Sequence, residues 1–403
     1  MGFKVIGFMA VALMICVLAV GFAQADDVII VKGNHTADHF KNDVDHAYNE
    51  TKNHRGFTDA DITYWDGNTT LSGVDDIANE TNLRNAINDS TGKNLTIYLS
   101  GHGNCSIPPP VFGCGGDVLT STELDAMLDD WQTQHTGGHI TVIIDCCGAG
   151  SFISDLSGSN RTLITSCQPC NASYWVFLNQ SESCNHNSSI FSAPFWTEIS
   201  NDSSVKDAFT KASEMVKNQV EFWNKDRTEE DQIPHQIPLY DDNGDGVGHP
   251  APLPNGGDGA NDTYIGISAA PYDPPVITDI VPPQYASVGY TILIWAHAME
   301  GTPTVYAFVK YPSWAPALGP CIDVPVIELT DPDGDGNYTG LYEVTETGNY
   351  LSMIYAVDSE GGISTRDNAY ENIPAITPLS FVLAFLLSLI GFGAIAMRKM
   401  YKG

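Results

Sequence analysis

Two short segments hold residue types that can attack an acyl group. Ser100-Gly101-His102-Gly103 closes one apolar run, and Asp145-Cys146-Cys147-Gly148 closes another. A thiol near its ordinary pKa is mostly protonated at neutral pH, so an adjacent imidazole that takes its proton makes it a nucleophile. The same imidazole can return the proton to a leaving amine. Gly101 and Gly103 let the backbone approach a bound peptide, and exposed amides there can stabilise a tetrahedral oxyanion. Taken singly, a histidine at a glycine turn or a buried cysteine is ordinary. What marks His102 and Cys147 is that each sits at the end of a strand-like run.

The elements around them alternate strand and helix signals, as a parallel α/β sheet requires. Val28–Val31, Ile62–Trp65, Leu95–Leu99, Ile140–Ile144 and Leu163–Thr165 are short, apolar and rich in β-branched or aromatic residues, so each is expected as a buried strand. Thr120-Ser-Thr-Glu123 has the spacing of a capping box, and Leu124, Met127, Leu128 and Trp131 follow at helical intervals. Val205, Phe209, Ala212, Val216, Val220 and Trp223 mark a second amphipathic helix. If the strands before His102 and Cys147 are neighbours, both side chains lie at the carboxyl edge of the sheet, where active sites of open parallel sheets assemble. Residues 251–275 turn rich in Pro, Gly, Asn and Asp and read as a linker. From 276 to 373, alternating segments such as Tyr290–Trp295, Val305–Val309 and Met353–Val357 predict a small β-sandwich.

A hydrophobic strand ending Ser-Gly-His-Gly, followed by one ending Asp-x-Cys, resembles the caspase-like clan of cysteine peptidases, legumains and metacaspases among them. Thr162–Cys167 stands where the clan has its next strand, and Ser189–Ser192 precedes a helix as in several members. The resemblance covers about residues 27–249 and implies a mainly parallel sheet flanked by helices over 26–250. It also implies His102 as general base and acid, Cys147 as the nucleophile of an acyl-enzyme, and the amides of Gly103 and Cys147 as the oxyanion hole. No cofactor is needed for catalysis, and the partner is a peptide or protein substrate. The clan places its nucleophile two residues after the acid, which selects Cys147 and leaves Cys146 as a small buried hydrophobe or disulfide partner. Asp145 matches an acid lining the first specificity pocket. Metacaspases with an acid there prefer Arg or Lys, legumains prefer Asn, and the Arg-His pair of legumains is not reproduced in Lys32–Phe40. Hydrolysis is the leading expectation. Transpeptidation, as in the GPI transamidase catalytic subunit, and a non-catalytic surface adhesin are the alternatives. Over the sandwich, Asp331–Tyr338, Gly348-Asn-Tyr350 and Tyr355–Asp358 resemble immunoglobulin-like modules of prokaryotic surface proteins.

The ends of the chain give an address. Lys4, the apolar run Val5–Phe22 and Ala23-Gln-Ala25 read as a signal peptide over 1–25, with an uncleaved anchor as the alternative. Ile376–Met397 is uncharged and long enough to span a bilayer, and Arg398, Lys399 and Lys402 mark 398–403 as a cytoplasmic tail. A buried helix and a cleavable sorting tail beginning near Pro374 are the other readings. A single-pass protein with its body outside the cell is therefore expected, and sequons at Asn34, Asn68, Asn94, Asn171 and Asn187 agree with it. The net charge of -31 argues against a nucleic-acid partner. An oxidising exterior favours disulfides, including at Cys167, Cys170 and Cys184, over a metal site built from them with His186. Asp241-x-Asn243-x-Asp245 and Asp331-x-Asp333-x-Asp335, each followed by glycine, match the first half of a calcium loop but lack the glutamate at the twelfth place. A structural Ca2+ or a metal-free acidic turn are both open there.

Overall fold

The structure, a computed structural model, describes residues 26–376 apart from 34–37, 67–75, 107, 115–116, 177–187, 255, 262, 268, 270–271, 273, 283, 300–303, 317–320, 323–324, 360 and 365–369. The predicted signal peptide, Cys184, His186 and positions 377–403 of the predicted span and tail lie outside the described residues. Among the described residues no helix is long and apolar enough to cross a membrane.

The five strands predicted for this unit, β1, β2, β4, β8 and β9 below, lie in one sheet. In chain order the strands of the unit are β1 (Asp27–Lys32), β2 (Ile62–Asp66), β3 (Asp76–Ile77), β4 (Leu95–Ser100), the hairpin strands β5 (Gly103–Asn104), β6 (Val111–Cys114) and β7 (Asp117–Thr120), then β8 (Ile140–Asp145), β9 (Arg161–Thr165), the short β10 (Trp175–Val176) and β11 (Ser188–Ser189), and β12 (Leu239–Asp241). The main sheet runs β12-β9-β8-β4-β1-β2-β3, with every pair parallel except the antiparallel edge β12. The chain adds strands on one side of β1, then crosses to add β4, β8 and β9 on the other. That reversal opens a crevice at the carboxyl ends of β1 and β4.

Helices α1 (Asp38–His54), α2 (Glu80–Asp89), α3 (Ser121–Gln134), α4 (Ile153–Leu156), α5 (Ser192–Ser200) and α6 (Val205–Asn224) cover the sheet. Helix α3 starts at Thr120 with both arms of the predicted capping box, and Leu124, Met127, Leu128 and Trp131 are buried. Helix α6 buries the predicted stripe from Val205 to Trp223. Strands β4 and β8 are buried on every residue, as a sheet covered on both faces demands.

The second unit is a two-sheet sandwich. One sheet pairs β13 (Ile277–Ile280), β15 (Thr291–Ala298) and β19 (Asn337–Glu343). The other pairs β14 (Ala286–Ser287), β21 (Tyr370–Ile376), β20 (Gly348–Val357), β16 (Thr304–Lys310) and β18 (Val326–Leu329). The last strand runs to Ile376, the first residue of the predicted span. A further two-residue strand, β17 (Cys321–Ile322), leaves the sandwich to pair with β10 of the α/β unit.

Two features depart from a pair of units on a loose tether. The stretch expected as a linker is laid against the α/β unit: Ile265 is buried, its carbonyl accepts from Arg55 Nε at 2.8 Å, and the Ile267 and Ala269 amides donate to Arg55 and His54 carbonyls. Strand β16 is buried on both faces. Val305, Ala307 and Val309 fill the sandwich core, while Tyr306 and Phe308 join a cluster with Phe222 and Trp223 of α6. Each unit has an apolar face left over, and burying one against the other removes both from water.

Candidate active site

Strands β4 and β8 are neighbours in register Ser100↔Asp145, so the segments that carry His102 and Cys147 leave the sheet side by side. The Gly101 amide donates to the Asp145 carbonyl at 3.1 Å, extending the ladder one residue into the loop. His102 and Cys147 then line one cleft, with Phe40 and Tyr174 among its walls. The imidazole is exposed and stands edge-on to the Phe40 ring, with centroids 5.1 Å apart.

The cysteine doublet divides by burial. Cys146 belongs to the core cluster beneath the sheet edge, and burial pushes its thiol well above the usual range. Cys147 is half-buried and faces the cleft. Its thiol is also pushed up, first by burial and further by the Asp145 charge, against a lowering hydrogen bond with the Ser173 backbone. At rest Cys147 is therefore the neutral thiol, which becomes reactive only when a base removes its proton.

The glycines around it are fixed by contact. A Cβ on Gly103 would collide with Cys146 Sγ and the Cys147 carbonyl, so the histidine loop can pass the cysteine loop only with glycine there. The Gly113 amide donates to the His102 carbonyl at 2.9 Å, which makes the Gly103–Phe112 pair of the hairpin the non-bonded one and turns the Gly103 amide away from β6. Gly148 holds φ +75°, which lets the chain turn straight from Cys147 into the following short helical turn.

A disulfide between Cys105 and Cys170 joins the loop after His102 to the loop after β9. Of the three cysteines expected in bridges, Cys170 forms this one, Cys184 lies outside the described residues, and Cys167 is free and buried, its thiol raised to about 12 by burial.

Asp145 is 3% exposed and accepts from Ser173 Oγ at 2.6 Å and Ser192 Oγ at 2.5 Å. Beside it lies Asp43, an acid on α1 for which no motif speaks. Asp43 is 1% exposed and accepts from Ser188 Oγ at 2.5 Å, the Ser189 amide at 2.9 Å and Ser100 Oγ at 3.2 Å. Burial, then the Asp145 charge, drives its carboxyl up to about 7 against these donors. The available signal was periodicity: Asp43 falls on the face of α1 shared by Phe40, Val44 and Ala47, where an acid needs a reason.

The two acidic loops lie away from this cleft. Asp331, Asp333 and Asp335 bring carboxylate oxygens within 4.8 Å of one another, although Asp331 already accepts from the Gly334, Asp335 and Gly336 amides. In the other loop Asp241 takes the Gly244 amide and Ser157 Oγ, Asn243 takes the Asp245 amide, and Asp245 takes the Val247 amide. That loop holds itself by side-chain to backbone turns. Of the sequons, Asn34, Asn68 and Asn187 lie outside the described residues. The Asn94 and Asn171 amides donate to Asp26 and the His235 carbonyl.

Residues 68–240 match the Peptidase C13 family. The α/β unit is thus a cysteine peptidase domain of the caspase-like clan, of the legumain family. No curated protein matches the chain. Among solved structures, the fibronectin(III)-like modules of Clostridium thermocellum CbhA are 14% identical over 26% of this chain and 94% of theirs, at TM-score 0.16. The titin M10–obscurin-like 1 Ig complex is 15% identical over 26% and 96%, at 0.17. A β-glucosidase from Listeria innocua is 8% identical over 89% and 46%, at 0.26. The sandwich is defined by its own strand pairing.

Proposed function

We propose that this Peptidase C13 domain is an active cysteine endopeptidase using a His102–Cys147 dyad. The observation that carries the reading is that one cleft, at the carboxyl edge of β4 and β8, is lined by both side chains. In this reading His102 takes the Cys147 proton as Sγ attacks the scissile carbonyl carbon. The resulting oxyanion is held by the amides of Gly103 and Cys147. His102 returns the proton to the leaving amine, the C–N bond breaks, and water delivered by the same base resolves the acyl-enzyme.

The signal and span segments support an exterior, membrane-anchored ectodomain acting on peptides or proteins at the cell envelope. Calcium belongs in this reading to the sandwich, on Asp331, Asp333 and Asp335, where it would stiffen a turn and take no part in the chemistry. The test is Cys147→Ala against a mixed peptide library: hydrolysis should vanish while the melting transition stays. Full activity in that variant removes Cys147 from the mechanism.

A further inference from the structure

We propose that the Cys105–Cys170 disulfide is a redox-gated positioning device: while intact it holds His102 in place against Cys147, and its reduction switches the peptidase off. This rests on the peptidase reading and assigns Cys105 and Cys170 as positioning residues.

Three loops meet at the carboxyl edge of the sheet, and one of them carries Cys147. The histidine loop crosses it at Gly103, where a Cβ would stand 2.4 Å from both Cys146 Sγ and the Cys147 carbonyl oxygen. The loop after β9 takes two of its amides: Gly148 donates to the Asn171 carbonyl at 2.7 Å, and Gly150 to the Cys167 carbonyl at 2.9 Å. The Cys167 thiol donates in return to the Cys146 carbonyl at 3.3 Å. The disulfide joins the two gripping loops to each other, from the third residue after His102 to the residue before Asn171. It also packs on the loop they grip, because a Cβ on Gly148 would lie 3.2 Å from Cys105 Cβ and 3.3 Å from its Sγ. Cys146–Gly148 is thus held in a collar, closed by hydrogen bonds to one loop and by a covalent bond between that loop and the next.

What the bridge adds is the setting of the histidine. Backbone bonds fix the start of the histidine loop, Gly101 to the Asp145 carbonyl, and tie it to its own hairpin, Gly113 to the His102 carbonyl. From His102 to Ser106 every residue is exposed or half-buried. Such a stretch has little packing to restrain it, and a crosslink removes the freedom that packing leaves. The base and the Gly103 amide both lie in it. The cleft walls are held by other means: Phe40 stands on α1, the Tyr174 amide donates to Gln236 Oε1 at 2.6 Å, and Trp175 is paired in β10. Opening the bridge therefore disturbs the base and spares the surface on which a peptide lies.

The bridge is within reach of a reductant. Cys170 is exposed and Cys105 half-buried, whereas the free cysteines 114, 146 and 167 are buried. An external dithiol attacks one bridge sulfur through its thiolate, the S–S bond breaks, and the second thiol of the reagent resolves the mixed disulfide. Two electrons and two protons pass to Cys105 and Cys170, and the reagent leaves as its own disulfide. Cys147 is already a free thiol and is unchanged. The response is opposite in sign to that of a thiol enzyme whose nucleophile is the redox-sensitive group, since reductant protects such an enzyme.

The experiment titrates the full chain with dithiothreitol in oxygen-free buffer, so that Cys147 stays reduced throughout. Differential alkylation with peptide mapping gives the fraction of bridge reduced, and one cleaved peptide gives kcat and KM. As the bridge is reduced kcat is expected to fall in step by about 10- to 100-fold, with KM constant to about twofold, and to return on reoxidation. Cys105→Ser combined with Cys170→Ser should start at the low kcat and ignore dithiothreitol. Where that variant fails to fold, the titration of the unaltered chain stands alone. A kcat that holds or rises as the bridge is reduced overturns the proposal. So does a loss that accompanies unfolding in circular dichroism, which makes the bridge a stabilising element only. No cleavage at any reductant level, the intact bridge included, rejects the peptidase reading and the proposal with it, whereas failure of the switch alone leaves cleavage in place.

Discussion

The resting state of Cys147 makes the sharpest prediction about mechanism. Its burial and the neighbouring Asp145 charge both favour the neutral thiol, and the one opposing influence is a hydrogen bond with the Ser173 backbone. Starting from an ordinary thiol near 8.5, an upward shift leaves less than about 3% thiolate at pH 7. A preformed thiolate–imidazolium pair would instead have a thiol near 4 and be fully ionised by pH 6. The two cases differ in the pH dependence of alkylation. Inactivation of the protein by iodoacetamide should accelerate close to tenfold per pH unit from 6 to 8, because the thiolate fraction does, and should reach no plateau in that range. Peptide mapping assigns the modification to Cys147. The free thiols of Cys114 and Cys167 are raised to about 12 by burial and stay silent. A rate already flat between pH 5 and 7 would refute the reasoning, and would mean that His102 holds the thiolate in the free enzyme instead of generating it during attack.

Gly103→Ala should lower kcat/KM by about 100-fold or more, since the added methyl displaces the cysteine loop by enough to spoil a near-attack geometry; a peptidase assay beside a melting curve separates this from unfolding. Thr120→Ala removes the acceptor for the Glu123 amide and should cost about 1 kcal/mol in urea denaturation with kcat/KM unchanged. Phe308→Ala should destabilise both units by about 3–5 kcal/mol, with the sandwich and the α/β unit unfolding in one transition in calorimetry.

What could be read in advance follows a physical division. Strands β1, β2, β4, β8 and β9 were legible because each is a closed apolar run, and α3 because its cap and its stripe agree. That His102 and Cys147 would meet in one cleft was legible because strand ends carry glycine, histidine and cysteine in one order. Three things were not. Asp43 is set by the packing of α1 on the sheet, and its neighbour Asp145 lies 102 positions away in sequence, a relation no local pattern encodes. The antiparallel edge β12 is three residues long, too short for periodicity to register. The docking of the two units was visible only as an oddity in β16, where Val305-Tyr-Ala-Phe-Val309 is apolar throughout while a sandwich strand with one wet face should alternate.

That oddity bears on how the cleft is held. Lys310, at the end of β16, is 6% exposed and donates to the Phe222 and Trp223 carbonyls at 3.4 and 2.9 Å, so the sandwich supplies the cation at the carboxyl end of α6. Helix α6 packs along α5, and the Thr197 hydroxyl of α5 accepts from the Ile363 amide of the sandwich at 3.2 Å. Helix α5 begins at Ser192, whose hydroxyl holds Asp145. Contacts therefore run without a gap from the sandwich to a carboxylate of the cleft. A spacer would leave α5 and α6 facing water with Phe222 and Trp223 uncovered, and burial of that face is what the sandwich contributes to the site. The second unit is accordingly part of the scaffold that fixes Asp145.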